Sequence, residues 1–100
     1  MVKHIILWKL KDGISDTEKS KIKKNAKNAL EGLNGKIDGL LKIQLRTESL
    51  SSSNADMMLV SCFDNAESLA GYQKHPLHIA AADSFVRPFT GQRLCLDFEE

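Results

Sequence analysis

Groups able to exchange a proton near neutral pH are scarce in this chain: three histidines, one tyrosine and two cysteines among 100 residues. Acid–base or nucleophilic chemistry therefore has few places to reside. Charge of one sign is also missing. The formal net charge is +1, which argues against nucleic acid as a main partner, because phosphate binding wants a basic surface. The lysines between Lys19 and Lys27 are interleaved with acidic residues such as Glu18 and Glu31, and read as the solvated face of an amphipathic helix. No run approaches the roughly 18 apolar residues of a membrane span, so no membrane partner is expected. A signal-peptide core at the N-terminus is lacking too, and a cytoplasmic location is the expectation. Repeats, linkers and a domain boundary are absent. Residues 1–100 read as one domain with one modest core, and an apolar content of 42% with 27% charged residues is ordinary for such a globule.

What the chain does have is a clear order of elements. Val2–Leu10 reads as a strand with His4, Ile6 and Trp8 on one face and Ile5 and Leu7 on the other. Asp12-Gly13 closes it, and Ser15-Asp-Thr-Glu18 forms a capping box for a helix. That helix carries Ile22, Ala26, Ala29, Leu30 and Leu33 as a 3.6-residue stripe and stops near Asn34-Gly35. Leu40–Leu45 reads as a second strand, the serine-rich stretch Glu48–Asn54 as a loop, and Met57–Phe63 as a third strand. A helix is expected from Asp64-Asn-Ala-Glu67 to about Lys74, and another from Pro76 to before Pro88. Arg93–Phe98 closes the chain as a strand, alternating Arg93/Cys95/Asp97 with Leu94/Leu96/Phe98.

Strand–helix–strand–strand–helix–strand is the split βαβ, ferredoxin-like pattern: an α+β fold with a four-stranded antiparallel sheet. Helices can cover only one face of that sheet. The expectation is that Ile6, Trp8, Met57, Leu59 and Cys95 lie on the other face. A second copy of the chain would cover them, giving a homodimeric α/β barrel with sheets face to face.

Two of the three histidines and the only tyrosine fall within Tyr72-Gln-Lys-His75-Pro76-Leu77-His78. Proline suits the first turn of a helix and disfavours helical angles in the residue before it. One helix therefore ends near Tyr72–Lys74 and the next begins at Pro76, with His78 in its first turn. A bland role, closing one helix and opening the next, accounts for these residues as well as a chemical one. His75 and His78 stand three apart across a helix start, poor geometry for sharing an ion, with no thiolate or third ligand nearby. No metal and no cofactor is expected. Cys62 and Cys95 fall on strands of opposite phase and are expected to be buried and reduced. Cys95 is the thiol to watch because it shares a face with Asp97.

Several of these segments carry a family resemblance. Val2-Lys-His4-Ile-Ile-Leu-Trp-Lys9, Asp56-Met-Met-Leu-Val-Ser-Cys-Phe63-Asp, Tyr72-x-x-His75-Pro76-x-His78 and Asp97-Phe98-Glu99 resemble the stress-responsive dimeric α/β-barrel (Dabb) domain over essentially the whole chain. The resemblance implies a ferredoxin-like protomer in a homodimeric barrel. The family includes plant stress proteins, bacterial members without known activity and a plant polyketide cyclase that performs intramolecular aldol chemistry without metal or organic cofactor. By that resemblance His78 is the general base, Asp97 orients it, Tyr72 hydrogen-bonds a substrate carbonyl, and His4 lines the pocket with His75 nearby. Met57 replaces a pocket histidine of the cyclase, Asn25 and Asn28 replace pocket aromatics, and Trp8 projects beside His4. The cyclase reaction itself does not transfer.

Two readings follow. One is a homodimer with a pocket for a small apolar or carbonyl-bearing molecule, lined by His4, Ile6, Trp8, Met57, Leu59, His75 and Cys95. The other is a cofactor-independent enzyme performing enolisation or aldol-type proton transfer with His78, Tyr72 and Asp97.

Overall fold

A computed structural model describes residues Met1–Glu100. The chain runs β1 (Val2–Leu10), α1 (Asp16–Glu31), β2 (Leu40–Arg46), β3 (Met57–Phe63), α2 (Ala66–Lys74), α3 (Pro76–Phe85), a short 3-10 turn at Arg87–Phe89, and β4 (Thr90–Glu99). The sheet order is β2-β3-β1-β4, with every neighbouring pair antiparallel. This is the ferredoxin-like arrangement the element order predicts.

Local signals account for the helix starts. Ser15 Oγ accepts a hydrogen bond from the Glu18 amide at 3.2 Å, and Asn65 Oδ1 accepts one from the Ser68 amide at 2.9 Å. His75 serves two helices: its amide bonds the Tyr72 carbonyl at the end of α2, and its Nδ1 accepts from the Leu77 amide at 3.1 Å to cap α3. Pro76 then occupies the first helical position, where no amide is needed.

One polar clamp joins helix to sheet. Glu31, in the last turn of α1, accepts from the Leu45 amide at 2.9 Å and from Lys27 Nζ at 2.7 Å, while Lys27 also donates to the Leu45 carbonyl. Burial works against the charged form of Glu31, but the Lys27 ammonium and the Leu45 amide outweigh it and hold the carboxyl below its ordinary range.

The helices cover the face opposite to the one expected from the sequence. Val2, His4, Ile6, Trp8 and Leu10 point under the helices. There they meet Met57, Leu59, Ser61 and Phe63 of β3 and Ile22, Ala26 and Leu30 of α1. Ile6, Trp8, Met57 and Leu59 are therefore core of the protomer and not a face awaiting a partner. The reason lies in the alternation: Ile6/Trp8 and Ile5/Leu7 are both apolar, so a period of two defines two faces without saying which one the helices take. The uncovered face carries Ile5, Leu7, Met58, Val60, Leu94, Leu96 and Phe98. Leu94 and Leu96 are 71% and 65% exposed, more than a lone folded chain leaves contiguous on a sheet without a function for it.

Candidate functional site

Because the helices lie on the His4 face, Tyr72 of α2 comes down onto His4 of β1 and meets His78 of α3. Tyr72 is the largest fully buried side chain, with no exposed surface. Its ring packs between Phe63 (centroids 5.0 Å), His78 (4.2 Å) and His4 (6.2 Å). Its hydroxyl has no hydrogen-bond partner, and burial pushes the phenol well above its ordinary pKa.

His78 is half-buried, and its Nδ1 is likewise enclosed without a partner. Burial lowers the imidazole pKa to about 4, helped by the positive charges of Arg87 and Arg93 and opposed by Asp83. His78 is thus a neutral ring at physiological pH.

Asp97 does not orient His78. In the β1–β4 register Asp97 stands directly opposite His4, and its Oδ1 is hydrogen-bonded to His4 Nδ1. The carboxylate accepts, so Nδ1 of His4 carries the hydrogen. The family resemblance pairs this carboxylate with His78, whereas the cross-strand register gives it to His4. Cys95, two residues before Asp97, completes the group: its Sγ lies 3.4 Å from Asp97 Oδ1 and 3.7 Å from His4 Nδ1. Both thiols are free, but Cys95 is exposed where a buried cysteine was expected, because β4 is an edge strand that the helices leave uncovered. Partial desolvation of the sulfur and the Asp97 carboxylate raise the Cys95 pKa.

His75 takes the structural role, its Nδ1 engaged by the helix it caps. Ile6, Trp8, Met57 and Leu59 are packed in the core on the same side, Trp8 opposite Met57 in register, at 6% and 2% exposure. Residues not singled out from the sequence also belong here. Phe63 wedges against Tyr72, and Ser61 is fully buried with Oγ donating to the His4 carbonyl at 3.2 Å. The inward phase of β3, once known, points to both. Open grooves lie elsewhere: one of about 450 Å³ between Leu7 and the 48–58 segment, and one of about 370 Å³ between α1 and α3.

These features describe an α+β protein of ferredoxin-like fold with a cluster of buried polar rings between sheet and helices. The chain belongs to the stress responsive A/B barrel domain family, whose profile matches residues 2–100. Among solved structures it is similar to a dimeric protein of unknown function and ferredoxin-like fold from Bacteroides fragilis. The two are 33% identical with a TM-score of 0.92, over 99% of this chain and 95% of that one. A dimeric ferredoxin-like protein of unknown function from Thermobifida fusca is 24% identical, with a TM-score of 0.81 over 97% and 88% of the two chains. A hydroxynitrile lyase from Passiflora edulis shares the fold at 16% identity, with a TM-score of 0.70 over 97% and 90%. No curated protein matches the chain.

Proposed function

We propose that the protein is a homodimer whose protomers each bind a small, largely apolar molecule bearing a carbonyl or similar polar group at Tyr72 and His78. The observation that carries this reading is the pair of enclosed, partnerless polar atoms, Tyr72 Oη and His78 Nδ1, on rings 4.2 Å apart. Leaving such a group unpaired costs about 1–3 kcal/mol, so a native core rarely keeps two side by side without a use for them. A carbonyl oxygen accepts from Tyr72, and the neutral imidazole supplies a second hydrogen bond.

Dimerisation is supported by the exposed Leu94/Leu96/Phe98 face and by the dimeric description of the relatives from B. fragilis and T. fusca. Two such faces packed together form a barrel of the kind the family is named for.

The catalytic version of this site uses Tyr72 to polarise a substrate carbonyl and His78 to take a proton. It is favoured by the free Nδ1 beside the phenol. The low basicity of His78 and the engagement of Asp97 by His4 favour binding over base catalysis.

NMR titration with benzaldehyde, an apolar body with one carbonyl, tests the binding reading. Resonances of Tyr72 and His78 should shift, and Tyr72→Phe should weaken binding roughly 2- to 12-fold, the value of one hydrogen bond. Shifts confined to the groove at Leu7 and the 48–58 segment would move the site away from these rings.

A further inference from the structure

β4 is one of the two edge strands of the sheet, and its side chains are open to solvent even on the face turned toward the helices. One strand inward, His4 is buried at 1% exposure, its ring held edge-on by Phe63 and Tyr72. The register sets His4 opposite Asp97, and Cys95 projects from the same face two residues earlier. One buried nitrogen, one sulfur and one carboxylate oxygen thus converge at a solvent-open lip. All three donor atoms lie within 4.8 Å of one another.

The spacing is close to what a metal ion imposes. Tetrahedral zinc, with bonds of about 2.3 Å to sulfur and about 2.0 Å to nitrogen or oxygen, keeps its ligand atoms roughly 3.3–3.6 Å apart. Cys95 Sγ already stands 3.7 Å from His4 Nδ1 and 3.4 Å from Asp97 Oδ1. The His4–Asp97 contact is a direct hydrogen bond and must open slightly. Asp97 can do this by side-chain rotation, since 38% of its side chain is exposed.

We infer that His4 Nδ1, Cys95 Sγ and Asp97 Oδ1 form a binding site for a borderline-soft divalent cation, zinc foremost, with its fourth position open to water. The mixed nitrogen, sulfur and oxygen set discriminates against magnesium and calcium, which prefer oxygen alone. As thiolate and carboxylate, Cys95 and Asp97 bring two negative charges, and Arg93 beside Cys95 offsets one of them. On binding, the Cys95 S–H bond breaks and its proton leaves to solvent as the metal–sulfur bond forms. The His4 hydrogen moves from Nδ1 to Nε2, freeing the Nδ1 lone pair. The net release is one proton per ion, and no oxidant or reductant is involved.

Full-length protein washed with chelator and titrated with Co2+ tests the site. The expected result is saturation at one ion per chain, with a near-ultraviolet thiolate-to-cobalt charge-transfer band. Zn2+ should displace the cobalt, and Zn2+ added to the washed protein in weakly buffered solution should release one proton per ion. Cys95→Ser should abolish the band, and Asp97→Asn should weaken binding on the order of 10- to 100-fold or more. Both side chains are exposed, so both variants should fold, whereas Cys62→Ala should leave the band intact. No band in the wild-type protein, or a band that survives Cys95→Ser, overturns the inference.

Discussion

Replacing Tyr72 with phenylalanine should make this protein more stable. The ring lies in the core with no exposed surface, and its hydroxyl is enclosed without a partner. Removing the oxygen leaves the contacts with Phe63, His4 and His78 in place and lifts a desolvation cost of about 1–3 kcal/mol. The small void left behind opposes this by about 1 kcal/mol, so the net gain should be on the order of 1 kcal/mol. For a domain of this size that corresponds to a rise in Tm of roughly 4–8 °C. Urea unfolding at one fixed protein concentration is the appropriate assay, because the stability of a dimer depends on concentration. The midpoint should rise with the slope unchanged. A loss of about 1 kcal/mol or more would refute the reasoning, since it would mean that the hydroxyl is hydrogen-bonded in the native protein. The same substitution should weaken benzaldehyde binding, so stability and ligand affinity should move in opposite directions, as expected where a strained polar site serves function.

His78 gives a pH signature. Its folded pKa of about 4 lies below the ordinary 6.5, so the unfolded chain binds the proton more readily between those values. The stability that rests on a neutral His78 is complete above about pH 6.5 and is lost as pH falls toward about 4; this slope should shrink in His78→Gln, read from urea midpoints across that range. Leu96→Lys places a charge on a side chain that is 65% exposed in the protomer. It should leave the fold intact by circular dichroism and yield monomers by sedimentation, while a wild-type monomer at micromolar concentration would remove the case for the barrel. Trp8→Glu, by contrast, buries an unpaired charge in the protomer core and should unfold the chain outright, at a cost of several kcal/mol. Glu31→Ala leaves the Leu45 amide without its acceptor and should cost about 1–3 kcal/mol in urea unfolding.

The element order and most boundaries were legible in the sequence because they rest on local rules. The Ser15 cap, the Asp64-Asn-Ala-Glu67 stretch and Pro76 each act within one turn of backbone, and α1, α2 and α3 start at or within two residues of where those rules put them. The Tyr72–His78 segment also announced itself, since the break at His75-Pro76 aims the two rings from consecutive helices.

Three matters were decided only by the tertiary structure. Which sheet face the helices take was open, because β1 is apolar on both sides and strand periodicity labels faces without ranking them. Which histidine Asp97 holds depends on β1–β4 register, a pairing across 93 residues of chain that no local signal encodes. The exposure of Cys95 depends on β4 being an edge strand that no helix covers, which follows from strand order and helix placement and not from the strand's own residues. Local chemistry thus determined what forms, and long-range packing determined what meets.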